Sequence, residues 1–475
     1  MSRTAILVSL VLGGCAAPGY RAPEVPTPAA FRETRDTIVE TPATLSALPD
    51  TVSSQDVHDT TLARLLNEAA RANLDVRAAE ARVRGARSAR TEATFDLAPT
   101  VTFGGGYTRQ RLSSASFPIG LGTFPDQSVW DAGFDAAWEL DLFGRVRRNV
   151  QAQGAFVAVS REDLRDVQVS LTAELARAYF ELRGAQEQLT VAQRNAENQR
   201  RTLQVTRQRL DAGRGTAFDT ERAQAQLSLT LASIPPLESQ VRQAQYQIGV
   251  LVGRPPASVA AELEQVAPLP AFPATVTVAS PDSVVRRRPD VAAAERQVAV
   301  ERALVGSAKA EYLPRLSLGG SAGYTAGEFN TLGDGGTFRY AVGPIISWPA
   351  LNLGRVKARV DISRARESEA QAQYTQTVLL ALQEVEASLV RYRTSRARVE
   401  RIQDAASASE RAAELARLRF SGGVADFLQV LDAERTQLEA QDQLAQSRTE
   451  AATAYAALYK ALGGTWPSSG AEGKQ

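Results

Sequence analysis

From Gly144 to Ala212 the chain carries no proline, and an apolar residue returns at every seventh position: Leu175, Leu182, Leu189, Ala196, Leu203 and Leu210, accompanied by Leu171, Ala178, Ala185 and Ala192. A sustained heptad with alanine at half its seam predicts coiled-coil packing at close interhelical distance. At 1.5 Å per residue, such a helix is on the order of 100 Å long, too long for the interior of a compact domain. Leu431, Leu438, Ala445, Ala452 and Tyr459 keep the same period further on.

The chain is written twice. WELDLFGRV (138–146) aligns with WPALNLGRV (348–356), and RLDAGRGTAFDTERAQ (209–224) with RFSGGVADFLQVLDAE (419–434), at one offset of about 210 residues. LDVRAAEARV (74–83) matches PDVAAAERQV (289–298) at a slightly larger offset. The offset is too long for a solenoid unit. Each copy reads helix, strand pair, very long helix, turn, helix, with Pro235-Pro236 and Pro255-Pro256 expected to break or end the descending helix of the first copy. The turns DAGRG (211–215) and SGGVA (421–425) call for glycine because the chain reverses there between antiparallel helices. GGG (104–106) and GDGG (333–336) lack the Lys-Ser/Thr of a phosphate loop and are read as strand and hairpin loop.

WDAGFDAAWELD (130–141) sets Trp130, Ala132, Phe134, Ala136, Trp138 and Leu140 against Asp131, Asp135, Glu139 and Asp141. TVTFGGGYT (100–108) and RYAVGPIISW (339–348) alternate in the same way. Alternation alone fits a sandwich strand as well as a membrane-barrel strand with its apolar side outward. The N-terminus favours the membrane. Arg3, the short apolar run AILVSLVL and the order Leu12-Gly13-Gly14-Cys15 resemble a bacterial lipoprotein signal, in which Cys15 is lipidated and the acyl chains tether the protein. Four strands leave two open edges, the smallest transmembrane barrels need about eight, and lipid tolerates no open edge. Several chains must then share one barrel.

Composition removes other classes. Lys and Arg number 54 against 53 Asp and Glu, so no basic surface for nucleic acid is expected. One histidine, His58, read as a surface residue, and one cysteine leave almost no material for a transition-metal site. No nucleophile–base constellation is visible, so no enzyme and no cofactor are expected.

The chain resembles the TolC/OprM-like outer-membrane factors of tripartite efflux pumps, the efflux lipoproteins of NodT type. The segments that carry this are CAAPGYRAPEVPTP behind the lipobox, RRRPDVAAAERQVAVERALVGSAKAEYLPRLSLGGSAGY, the paired GRV segments, RFSGGVADFLQVLDAERTQL and ALYKALGGTW. The resemblance implies an α+β fold: four strands per chain, twelve in a homotrimeric barrel, continued by a long α-helical coiled-coil barrel with a mixed equatorial region. The corresponding division is a signal peptide (1–14), a lipidated extended segment (15–56), a first repeat (57–253), a linker (254–280), a second repeat (281–463) and a tail (464–475). Implied partners are outer-membrane lipid, a periplasmic adaptor (membrane fusion protein) and an inner-membrane RND-type pump. The adaptor would dock at the turns of Gly213, Gly215, Gly422 and Gly423.

By motif, the resemblance also puts a periplasmic gate on Leu428 as apolar ring, Asp432 as acidic ring, and Phe420 with Arg435 as latch. Gln429 stands where the TolC-like branch carries a further aspartate. Three converging Asp432 carboxylates would attract cations, as charged rings do in pores, and an acid near a helix start is also favourable to the macrodipole. Asp131, Asp135, Glu139 and Asp141 are candidates to line the barrel lumen, or are simply solvated. The implied function is a passive outer-membrane exit duct for drugs or other toxic small molecules. A type I protein-secretion channel and a structural coiled-coil envelope lipoprotein remain the alternatives.

Overall fold

The structure, a computed structural model, describes residues 25–33, 38–41, 59–111, 125–272 and 276–464. Cys15 and the signal segment, most of 15–56, His58 and the tail beyond 464 lie outside the described residues. In chain order the elements are β1 (Ile38–Thr41), α1 (Thr60–Ala72), α2 (Leu74–Phe95), β2 (Thr100–Gln110), β3 (Gln127–Leu140), α3 (Arg145–Asp211), α4 (Ala217–Leu251), α5 (Pro256–Glu262) and β4 (Val276–Ala279). There follow α6 (Pro281–Arg287), α7 (Pro289–Ala310), β5 (Arg315–Ala326), β6 (Phe338–Ser347), α8 (Leu353–Ser421) and α9 (Phe427–Ala461). No described helix is long and apolar enough to cross a membrane. The chain forms two compact units, and each takes segments from both sequence copies.

The first unit comprises 82–161 and 293–375. Its sheet is antiparallel in the order β2-β3-β5-β6, so the two strand pairs meet at β3 and β5, while β2 and β6 are edges. Period-two alternation gives two unlike faces. Val101, Phe103, Phe134, Tyr340, Val342 and Ile346 are exposed on one, where the Phe103 and Phe134 rings meet at 5.3 Å, tilted by 58°. The other face carries Thr102, Asp131, Asp135, Thr325 and Arg339. The duplicated tryptophans act alike. Trp138 Nε1, in β3, donates to the Leu97 carbonyl at 2.9 Å and Trp348 Nε1, just past β6, to the Tyr312 carbonyl at 3.0 Å, each fastening the end of its strand to the loop before the preceding one. In the helical part of this unit, Ala152 and Val159 of α3 pack on Ala293 and Val300 of α7.

The second unit comprises 25–81, 162–292 and 376–475. Its core gathers Leu62 and Leu65 of α1, Leu175, Tyr179, Phe180 and Leu182 of α3, Ile248 of α4, Val385 and Leu389 of α8, and Tyr455 and Leu458 of α9. A parallel pair, β1 with β4, joins the N-terminal segment to the linker. The Asp59 carboxylate caps α1 and accepts the Tyr179 hydroxyl at 2.6 Å. Burial, reinforced by that acceptor, pushes the Tyr179 phenol up to about 12. The arginine of the RPD segment is a lock. Arg288 Nη2 reaches Asp290 and Glu384 at 2.7 Å each, and its Nη1 donates to the Ala461 carbonyl at 3.1 Å.

One expectation is corrected. Pro235 and Pro236 neither break nor end the descending helix, because α4 runs through both to Leu251. Ordinary helix bonds from their missing N–H groups would have gone to the carbonyls of Leu231 and Ala232, and both residues are exposed, so solvent can take those bonds. The Ser233 hydroxyl meanwhile satisfies the Thr230 carbonyl at 2.7 Å.

Candidate functional site

At the tip of the second unit, the two sequence copies build the same turn. After α3, Gly213 stands at φ 67°, with Gly213 N–H bonding Leu210 O and Arg214 N–H bonding Arg209 O. After α8, Gly423 stands at φ 76°, with Gly423 N–H bonding Phe420 O and Val424 N–H bonding Arg419 O. A residue with a Cβ is strained in that left-handed conformation, so glycine ends both helices. Each turn then opens the next helix with a side-chain cap: Thr216 accepts from Asp219 N–H, and Asp426 from Gln429 N–H at 3.0 Å. Gly215 lies close under Leu210 N and Gly422 makes ordinary contacts, so these two are spacers of the turns.

The two turns are tied together within one chain. Phe420 is buried against Phe427 (ring centroids 5.8 Å apart), in a cluster with Leu203, Leu227 and Val430. The Arg209 guanidinium lies over the Phe420 ring, 4.2 Å from its centroid. The resemblance names Phe420 and Arg435 as latch residues; within one chain the cation on the Phe420 ring is Arg209 of the opposite turn. Arg435 instead turns along its own helix to Asp432 at 3.0 Å. Leu428 is 53% exposed and Asp432 is also exposed, so the two residues expected to form the apolar and acidic rings both project from the first turns of α9.

Above the tip, α3 and α9 meet through buried polar rungs the sequence did not reveal. Asn195 Nδ2 donates to Gln441 Oε1 at 3.0 Å, and the Thr202 hydroxyl to Glu434 Oε1 at 2.8 Å, one heptad apart on both helices. Arg417 of α8 reaches the same Glu434 oxygen at 3.4 Å. Burial pushes the Glu434 carboxyl above its ordinary range, partly opposed by the Thr202 and Arg417 contacts. Higher still, Arg448 pairs with Glu187 at 2.7 Å, and a Cβ on Gly184 would run into the Thr449 side chain, its Cγ2 at 2.8 Å and its Cβ at 2.9 Å.

The four strand acids of the first unit have different partners. Asp131 on β3 is gripped by Arg339 of β6, with Nη2 to its two oxygens at 2.8 and 2.6 Å, and accepts the Thr325 hydroxyl of β5 at 2.8 Å. Glu139 forms a two-pronged pair with Arg145 at 2.9 and 2.7 Å. Asp141 is not a strand residue, because β3 ends at Leu140 and its carboxylate accepts the backbone N–H groups of Val146 and Arg147 where α3 starts. Asp135 is exposed, and no hydrogen bond or ion pair of its carboxylate is found among the described residues.

The family model described as outer membrane efflux protein matches residues 65–254 and 281–464, both halves of the duplication. The chain belongs to that family. Among curated outer membrane efflux proteins, it is 29% identical over 466 residues to the antibiotic efflux pump outer membrane protein ArpC of Pseudomonas putida, covering 97% of this chain and 94% of that one. Nodulation protein T of Rhizobium leguminosarum bv. trifolii is 28% identical over 460 residues, covering 96% and 95%. Among solved structures, the outer-membrane channel OprN superposes with a TM-score of 0.85 at 38% identity, covering 94% of this chain and 99% of that one. This member is therefore an outer-membrane efflux channel component, a conduit and not an enzyme.

Proposed function

We propose that three copies of this chain close one barrel in the outer membrane and form the exit duct of a tripartite pump. The open four-stranded sheet carries the reading: one face presents exposed Phe103, Phe134, Tyr340 and Ile346, and both edge strands have unpaired sides. Lipid satisfies the face, and only further strands satisfy the edges. Cys15 is lipidated as the second anchor. The Gly213 and Gly423 turns receive a periplasmic adaptor that links the duct to an inner-membrane RND-type pump. Small organic toxicants are the cargo, in line with relatives named for antibiotic and toluene efflux. The duct is closed at its tip by Leu428 and Asp432 and dilates when α8 and α9 swing away from α3.

The test is single-channel conductance of the purified protein in a planar bilayer. Wild type is expected to give a small cation-preferring conductance, and Asp432→Ala a larger and less selective one. Trimers that insert but conduct in neither form would refute the gate, and an absence of trimers would refute the shared barrel.

A further inference from the structure

Among the described residues, the polar face of the sheet carries two arginines: Arg315 of β5, matched by Glu311 at 3.5 Å, and Arg339 of β6, which reaches across the sheet. Arg339 on β6 stands directly across from Gly323 on β5, which stands across from Gly133 on β3 and Gly104 on β2. This row has no side chains beyond Arg339 itself. A Cβ at Gly323 would fall 2.6 Å from Gly133 Cα, so neither strand can carry one there without moving the other. Over this bare row the arginine crosses β5 diagonally and closes on Asp131, two strands away. Arg339 Nε also donates to the Thr325 hydroxyl at 2.8 Å, so the fork is fixed from both sides. An arginine held this way lies along the wall, and its charge is spent on Asp131. Glu139 is matched by Arg145 in the same manner. In the next row, Asp135 faces Thr102 and Ser321, which bring it no charge.

We infer that Arg339, laid across the glycine row onto Asp131, sets the charge of the barrel wall by cancelling one acid in each chain, so that Asp135 alone gives the wall its preference for cations. The inference rests on the proposed reading that this face lines a water-filled lumen. Releasing Arg339 would set three mobile cations against the three Asp135 carboxylates and cancel the preference. Removing Arg339 would double the free acids.

The experiment reads the wall directly and does not depend on the tip. Ser321, the cross-strand neighbour of Asp135, is replaced by cysteine in the full-length, membrane-inserted protein, and the unsubstituted chain with Cys15 gives the background. Rates of modification by a cationic and an anionic methanethiosulfonate added from outside are compared. Cross-strand neighbours lie about 5 Å apart, and one charge at that range in water, screened by salt with a Debye length of about 8 Å, changes the ratio of the two oppositely charged reagents' rates by about three- to fivefold. The cationic reagent is expected to be favoured by about that factor in the Ser321→Cys protein. Asp135→Asn, which disturbs no described partner, should abolish the preference. Asp131→Asn should bring it down toward unity, Arg339→Gln should increase it, and the double variant should return near the starting ratio. A ratio unmoved by Asp135→Asn, or unmoved by both Asp131→Asn and Arg339→Gln, overturns the inference while leaving the duct intact. Failure of both reagents to reach the introduced thiol overturns the water-filled lumen on which it rests.

Discussion

Removing the Arg209 guanidinium should open the tip. The group sits 4.2 Å from the centroid of Phe420, a residue only 6% exposed, and so joins the end of α3 to the end of α8. A cation over a ring contributes about 0.5–1 kcal/mol at exposed sites and about 2 kcal/mol when desolvated. Arg209 is half-buried, which places this pair near ~1 kcal/mol. In one chain, Arg209→Gln should then raise the open-to-closed ratio by about fivefold, since each 1.4 kcal/mol is tenfold. If the three tips of the proposed trimer open in concert, the losses add to ~3 kcal/mol and the ratio rises by more than about a hundredfold. Open probability from single-channel records separates the two cases. Phe420→Leu removes the same contact, so the double variant should be no more open than the more open single one. An Arg209→Gln channel with wild-type open probability, in a correctly inserted trimer, would refute the clamp.

Glu434 should make the tip pH-sensitive. Its carboxyl is pushed up in the folded state, so the folded form holds a proton that the unfolded form has already released. Stability is therefore greater on the acid side and is lost as pH rises from the ordinary carboxylate range through the elevated value. Thermal unfolding across that range should show a fall with rising pH that Glu434→Gln flattens. Gly184→Val should destabilise the α3–α9 crossing by about 1–3 kcal/mol through overpacking on Thr449, and Thr449→Gly in the same chain should recover much of the loss, read as melting temperature. Arg288→Met strips a buried cation from Asp290 and Glu384, which are 31% and 55% exposed and can rehydrate. The cost should stay near the low end of the ~3–5 kcal/mol for breaking a buried pair, measured by denaturant titration.

The long helices, the doubled plan and the unlike faces of the strands are legible because each is a repeating pattern along the chain. The heptad can be followed only where its seam is apolar: Leu175, Leu182 and Leu203 are buried as expected, but Leu210, Leu431 and Leu438 are only half-buried. In the lower seam, Asn195, Thr202, Glu434 and Gln441 are buried instead. Polar residues give no apolar signal, and their partners lie 232 and 246 positions away, so no local pattern announces the rungs. The same distance hides Arg209. The motif that names Phe420 and Arg435 is local to the second turn, so it carries no sign of a cation reaching the Phe420 ring from the first turn. Alternation continues one residue past the last ladder pair and so draws Asp141 into the strand, and only backbone geometry shows it capping α3.

The two turns share a backbone plan but differ in what they present. Where the second turn carries Leu428 and Asp432, the aligned positions of the first are Phe218 and Arg222, with the Arg222 guanidinium 5.3 Å from the Phe218 centroid. An ancestor half this length would have needed six identical subunits to surround the same axis, and every subunit would have carried the same residues at the mouth. Fusing two copies breaks sixfold symmetry into alternating threefold sets. One set can remain a stationary frame, its exposed aromatic paired with its own arginine, while the other accumulates the residues that block and release the passage. In the proposed trimer, the duplication thus gives the ring a division of labour that a true hexamer could not evolve one position at a time.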